Sequence, residues 1–418
     1  MNGKPEGRTP SVMMVIEGMF PAIGGGGAES QLRTLATNLS ARGVRVRVCA
    51  PYFRNYPLTA QTEVDGIAVH RLSYPFVRLW GAVVLQSKLA WHIWRMRGEI
   101  DAIHSHIATN MSAVCCVMGR LLGIPVLVKL TGMTEMVGGI LDPKAGFGTR
   151  MRRWAMKRAT RIQAISQRIV LQLLAVGFDP KQVMYLPNAV DLRRFEGGGR
   201  SDVPVPEALA QKLAGVEKRS FVALFAGRLI AEKDVDLLVR GWAASLRGRD
   251  DVMLLLAGRG KLGPELTALA ESLGVGNSVR VLGPVEHMEH VLPLAHVGIL
   301  TSRAEGLSNS LLEYMASGLP VLGSRVSGNE DFISPGQTGW LFEPGDEQGL
   351  TEALRDAAQL SAEALRQVGR NARQRVAAQA SLPAVLDRLC EFYETGTGNT
   401  VAAQRRSGAA GAAGEPSR

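Results

Sequence analysis

The stretch "GILTSRAEGLSNSLLEYMASGLPVLGSRVSGNED", Gly298 to Asp331, decides how this chain is read. It begins inside an apolar run, Val297 to Leu300, that reads as a strand. A polar loop follows with Glu305 and Gly306. Ser308 and Asn309 then open a helical pattern that carries Glu313, and "GLPVLGS" reads as the next strand. Strand, loop, helix and strand in that order make the βαβ unit of a parallel sheet. Ligands of such sheets bind beyond the carboxyl ends of the strands. Here that end places two carboxylates around a helix start. Carboxylates accept hydrogen bonds from hydroxyls, and a helix start offers N–H donors and partial positive charge to an anion. A diol, an anion and a second diol in one line is the layout of a nucleotide sugar. The blander reading is two surface acids placed where the helix dipole favours them.

Outward from this stretch the alternation continues. "SFVALFAGRL", "VMLLLAGRG" and "SVRVLGP" read as strands, with "DVDLLVRGWAASLRG" and "GPELTALAESLG" as helices between them. The first half repeats the scheme with strands "SVMMVIEG", "VRVRVCA", "GIAVHRL", "IDAIHSH", "PVLVKLTG", "RIQAIS" and "QVMYLPNAVD". "EGGGRSDVPVPE" is rich in Gly and Pro and separates the two series as a linker. The expectation is an α/β protein with two Rossmann-like parallel-sheet domains, residues 1–195 and 196–380, facing across a cleft that is the default ligand site. The last residues, 395–418, are Gly-, Ala- and Ser-rich with few large apolar side chains and read as disordered.

Composition narrows the function. The chain has 418 residues, 46% hydrophobic and 21% charged, with a net charge of +10. That excess suggests acidic partners, but no nucleic-acid-binding motif is present. Cys49, Cys115, Cys116 and Cys390 form no C-x-x-C pair, so neither a disulfide framework nor a zinc site is expected, and a reducing cytoplasm fits. Val12 to Ile16 is too short an apolar run for a signal peptide, and Arg120 and Lys129 break the best candidate membrane span. Neither half holds the spaced glycine fingerprint with a downstream acid of a dinucleotide oxidoreductase.

Three further segments carry chemistry. "GGGGAES", Gly24 to Ser30, follows the first strand, and its Gly26 and Gly27 suit close approach of a phosphate to a helix start; a flexible loop is the alternative. In "IDAIHSHIATN", His104 and His106 share a face at a strand end, and His106 is the candidate ligand contact. In "FAGRLIAEKDVDLL", Arg228 and Lys233 precede a helix, where two cations form a well for a diphosphate or stay as solvated surface charges. Separately, "GTRMRRWAMKRATRI" concentrates six cations between residues 150 and 161 with Trp154 among them. It suits an anionic bilayer surface, or it is a solvated helix with Trp154 packed inward.

The ordered motifs resemble retaining glycosyltransferase family 4, with the GT-B fold. They are "EGLSNSLLE" with its two glutamates, the glycine loop, "IHSH", "LPNAVD", "GRLIAEKD" and "PGQTGWLFEPGD"; the capsule and exopolysaccharide branch is nearest in pattern. The resemblance implies that Arg228 and Lys233 hold the donor diphosphate and that Glu305 meets the donor sugar. It implies that Glu313 binds the ribose hydroxyls, with Leu307, Ser308 and Asn309 lining the sugar or phosphate. Gly26 and Gly27 then lie near the phosphates and His106 near the reacting centre. It also implies no cofactor and no metal, a UDP-sugar by prevalence, and a saccharide or lipid-linked acceptor. "LPAVLDRLCEFYE", about 381–394, would be a closing helix that returns to the first domain. The chain departs from the family at Ala189 and Asp234, where Gly is usual, and at Thr131, where the T-x-H-G segment has His.

Overall fold

The computed structural model describes residues 9–21, 26–53, 60–136, 138–198 and 203–396. The chain forms two compact units, Met1–Ala189 with Pro383–Arg418, and Val190–Leu382.

The first unit is built on eight strands: β1 (Ser11–Ile16), β2 (Arg45–Pro51), β3 (Gln61–Val64), β4 (Ile67–Leu72), β5 (Ala102–His106), β6 (Val126–Lys129), β7 (Arg161–Ala164) and β8 (Val183–Tyr185). Their order in the sheet is β3-β4-β2-β1-β5-β6-β7-β8. Every pairing is parallel except β3 with β4. All six residues of β1 are buried, as are all five of β5. That is why these strands read as continuous apolar runs: helices cover both faces of a parallel sheet. β3 escapes the sequence reading because "QTEV" is short and three of its four residues are polar. Its hairpin to β4 turns at Asp65 and Gly66, both with positive φ, the Asp-Gly pair such a turn favours.

The second unit has six parallel strands: β9 (Phe221–Ala226), β10 (Val252–Ala257), β11 (Val279–Gly283), β12 (Val297–Leu300), β13 (Val321–Ser324) and β14 (Gly339–Phe342), ordered β11-β10-β9-β12-β13-β14. β14 is not evident from sequence either, since "GWLF" hides inside a glycine-spaced motif. Its core centres on Trp242 of helix Val235–Leu246, whose ring stacks on Phe221 with centroids 6.3 Å apart. The indole N–H finds Ser278 Oγ at 3.1 Å, so burial leaves it no unpaired donor.

The junction differs from the expected 195/196. The Val190 N–H donates to the Ala380 carbonyl at 3.0 Å, and the Leu382 N–H donates back to Val190 at 2.9 Å. These backbone bonds tie Val190 to the second unit, and Arg373 of that unit donates to the Phe195 carbonyl at 3.2 Å. The closing helix runs Leu382–Thr395, and from Pro383 onward it belongs to the first. The tail from 397 lies outside the described residues.

Candidate active site

β9 and β12 are neighbours in the second sheet, with Val297 opposite Ala223 and Ile299 opposite Phe225. Successive strands run outward from β9 on one side and from β12 on the other. The gap between their carboxyl ends is therefore the topological switch point, where diverging connections leave a crevice. Both cation-bearing and acid-bearing loops expected from sequence emerge there.

Lys233 ends a 3₁₀ turn after β9, and Glu305 lies in the loop after β12. Lys233 Nζ and Glu305 Oε2 form a direct ion pair, and Ser302 Oγ donates to the same oxygen at 3.2 Å. The two side chains are 15% and 20% exposed, so the pair is shielded but reachable. Thr301 Oγ1 donates to the Lys233 carbonyl at 2.7 Å, and the Arg303 N–H to the Glu232 carbonyl at 3.1 Å. These bonds lash one loop to the other. Arg228 is exposed and has no ion pair among the described residues.

Asp234 occupies the position where Gly is usual. Its φ of +51° is the left-handed conformation that Gly adopts freely and other residues adopt at about 1–2 kcal/mol. Its carboxylate is buried and gripped by Arg303, with contacts of 2.8 and 3.1 Å. The departure therefore comes with a compensating partner, which sequence reading missed because Arg303 lies 69 residues away.

Helix Asn309–Ala316 follows the acidic loop. Its first turns are fastened to β9: Ser310 Oγ donates to the Ala226 carbonyl at 2.7 Å, and the Tyr314 hydroxyl accepts the Ala226 N–H. Gly298 makes room for the Tyr314 ring, since a Cβ there would lie 2.3 Å from it. Gly328 does the same for the Gly306–Leu307 backbone, at 2.6 and 2.7 Å. Leu307 and Ser308 are buried, and Ser308 at the N-cap makes no side-chain cap hydrogen bond. Glu313, one helix turn beyond Asn309, sits by the Arg194–Glu289 ion pair of 2.7 Å. Burial pushes its carboxyl up to about 7; Arg194 opposes the rise and Glu289 adds to it.

The candidates of the first unit need correction. Gly24 lies outside the described residues. Gly26 is the N-cap of helix Gly27–Ala41, but what it makes room for is Glu29: a Cβ would fall 1.9 Å from that carboxylate. The helix start thus already faces an acid of its own chain. His106 was expected to touch a ligand, yet it is 1% exposed. β5 lies between β1 and β6 with both faces covered, and the ring stacks on His104 at 4.2 Å. Burial, with His104 and Lys129 nearby, pushes its pKa well below the ordinary value, so it is neutral. His104 Nδ1 pairs with the Tyr393 hydroxyl at 2.7 Å. Its neighbour Lys129 was missed: a lysine reads as exposed, but this one is 1% exposed and its Nζ has no partner among the described residues. Near Thr131, the buried Glu135 carboxylate accepts N–H bonds from Ala108, Thr131 and Gly132 at 3.1, 3.2 and 2.9 Å.

Among the described residues no three His, Cys, Asp or Glu side chains gather as a metal site requires, and no helix is long and apolar enough to cross a membrane. Trp154 is 52% exposed, which overturns the inward-packing alternative.

Two Rossmann-like parallel sheets define an architecture, and the likeness to solved structures gives it its name, the GT-B fold. The Anabaena protein HepE in complex with UDP and glucose superposes with a TM-score of 0.72 at 19% identity, over 92% of this chain and 99% of that one. "Glycosyltransferase Family 4" matches residues 25–194 and "Glycosyl transferases group 1" matches residues 220–359. A D-inositol 3-phosphate glycosyltransferase of Geodermatophilus obscurus is 31% identical over 330 residues, 74% of this chain and 70% of the relative. A phosphatidyl-myo-inositol mannosyltransferase of Mycobacterium leprae is 25% identical over 337 residues, 79% and 83%. The chain belongs to glycosyltransferase family 4, and it is a glycosyl-transferring enzyme.

Proposed function

We propose that this glycosyltransferase moves a sugar, with retention of anomeric configuration, from a nucleotide diphosphate sugar to a hydroxyl of a saccharide or lipid-linked acceptor, in cell-surface polysaccharide synthesis. The observation that carries the donor reading is the Lys233–Glu305 pair at the switch point of the second sheet. A cation and a carboxylate in contact match a ligand that is anionic at one place and hydroxylated beside it.

In this reading the donor diphosphate draws Lys233 away from Glu305 and recruits Arg228. Departure of the nucleotide builds negative charge on the diphosphate, and two cations stabilise it without a metal. Glu305, released, accepts hydrogen bonds from the donor sugar and orients its anomeric carbon. Leu307, Ser308 and Asn309 line the phosphate or sugar at the helix start. Glu313, near neutrality when free, takes its place at the ribose hydroxyls. UDP is the favoured nucleotide, and the HepE complexes with UDP and glucose support it. The mannosyltransferase relative, whose name carries phosphatidyl-myo-inositol, supports a lipid-borne acceptor. Such an acceptor calls for peripheral attachment to an anionic inner membrane face, with the basic 150–161 segment as the contact.

Incubation with UDP-, GDP- and ADP-sugars plus bacterial lipid extract tests the reading through released nucleotide. Release from one donor, lost in Glu305→Gln, is the expected result. Donor binding without turnover on any acceptor would leave a non-catalytic sugar-nucleotide module instead.

A further inference from the structure

Four of the chain's six tryptophans lie in the first unit, at positions 80, 91, 94 and 154, and all four are exposed. In the second unit Trp242 is fully buried. Helix Arg78–Met96 carries three of the exposed four. Leu85, Leu89 and Ile93 pack inward, while Trp80, Val83, Trp91 and Trp94 recur at helical spacing on the opposite face. Leu79 beside them is 82% exposed. An apolar stripe on each side of one helix is not what a solvated surface helix shows.

The stripe continues onto its neighbours. This helix packs on helix Asn110–Leu122, which packs on helix Phe147–Met156. They add exposed Leu121, Phe147, Met151 and Trp154. The three helices hold seven Lys or Arg and no Asp or Glu. Arginines lie over the indoles: Arg95 on Trp91 at 5.4 Å, Arg97 on Trp94 at 4.5 Å and Arg158 on Trp154 at 3.3 Å. Tryptophan suits the boundary between headgroups and acyl chains, and arginine beside it reaches the phosphates. Arg153 is not among the free cations, since it donates to the Ile140 and Asp142 carbonyls at 2.7 and 2.6 Å.

We infer that this three-helix face seats on an anionic bilayer and that helix Arg78–Met96 inserts its tryptophans into the interface. The occupant is a membrane because the face joins a wide apolar stripe to unopposed positive charge, the pairing that anionic lipid complements. The inference rests on the peripheral attachment proposed above and deepens it: residues 150–161 supply attraction, and the longer helix supplies insertion.

The test is co-sedimentation of the full chain with phosphatidylcholine vesicles, with and without phosphatidylglycerol, alongside tryptophan quenching by brominated acyl chains. Wild type should bind the anionic vesicles and be quenched. The double variant Trp91→Ala/Trp94→Ala should bind about tenfold more weakly, most clearly at high salt where attraction between charges is screened. Arg150→Glu/Lys157→Glu should lose the preference for anionic lipid. Both variants should keep wild-type melting and wild-type UDP affinity, since none of these side chains lies in the proposed donor site. Absence of wild-type binding would overturn both this inference and the attachment it rests on. Binding that needs Arg150 and Lys157 but ignores the tryptophan variant, without quenching, would overturn insertion alone and leave attachment standing. A dimer in solution that the tryptophan variant dissolves, with no vesicle binding, would assign the face to a second copy and overturn the inference.

Discussion

Lys233 and Glu305 are each other's partner in the free protein, so neither can be altered without freeing the other. Glu305→Gln removes a charge while keeping the shape, and Lys233→Ala removes the cation nearest the acidic loop. Each should lower turnover at least about tenfold, about 1.4 kcal/mol in barrier. Wild-type rates in both would show that the reaction happens elsewhere. Lys129 poses a different problem, because burial lowers its pKa from 10.5 to about 7. Between those values the unfolded chain binds a proton that the folded chain lacks, so stability rises with pH across that window. Below about 7 both forms are charged and the burial cost is present in full. Lys129→Met should therefore raise the melting temperature more at pH 6 than at pH 9; an equal gain at both would mean that the folded amine keeps its ordinary pKa and that burial does not penalise its charge. The sequence pointed to the loops after β9 and β12, because Arg228, Lys233 and Glu305 stand beside strand ends, and the structure brings Lys233 and Glu305 into contact. Burial was not. Nothing in "IHSH" or "VKLTG" says that His106 and Lys129 are enclosed by strands and helices far away in the chain.

At the scale of elements, the loops of the proposed donor site are held by small residues whose reasons lie in their neighbours. Gly298→Ala would drive a methyl into the Tyr314 ring and should cost about 1–3 kcal/mol, read as a lower denaturant midpoint. Because Tyr314 fastens helix Asn309–Ala316 to β9, donor KM should rise with it. The turn at Asp234 offers a paired comparison. Asp234→Gly loses the Arg303 contact but relieves a φ of +51°, whereas Asp234→Ala loses the contact and keeps the strain. The glycine variant should therefore be the more stable of the two by about 1 kcal/mol, the left-handed penalty at its lower end; the reverse order would refute the strain argument. Most elements could be read from periodicity, the long buried strands most plainly. β3 and β14 could not, because "QTEV" is mostly polar and "GWLF" sits inside a glycine-spaced motif, so neither shows a strand pattern of its own.

At the scale of the whole molecule, the first unit is discontinuous: its last helix is separated from the rest of it by Val190–Leu382. Tyr393 of that helix supplies the hydrogen bond to His104 at 2.7 Å. Tyr393→Phe would leave that ring nitrogen buried without a partner and should cost about 1–3 kcal/mol. Calorimetry checks it, and UDP affinity, a property of the second unit in this reading, should not change. An affinity loss matching the stability loss would place His104 in the donor chemistry after all. The two-unit plan followed from the restart of strand–helix alternation after the glycine-rich linker. The exact junction did not, because it is set by backbone bonds from Val190 to Ala380 and Leu382 that no local pattern announces.

That discontinuity imposes an order on synthesis. A ribosome releases β1 to β8 early, but the helix that supplies Tyr393 emerges only after Val190–Leu382 has been made. At about 5–20 residues per second the delay is roughly 10–40 seconds. Throughout it the nascent first unit carries His104 without its hydroxyl partner, and the apolar side of the closing helix is still missing. The second unit, whose chain is continuous, is complete before the first. The half of the enzyme that begins translation is thus the last to finish folding, and a pause or truncation near residue 382 would strand it as a client for chaperones.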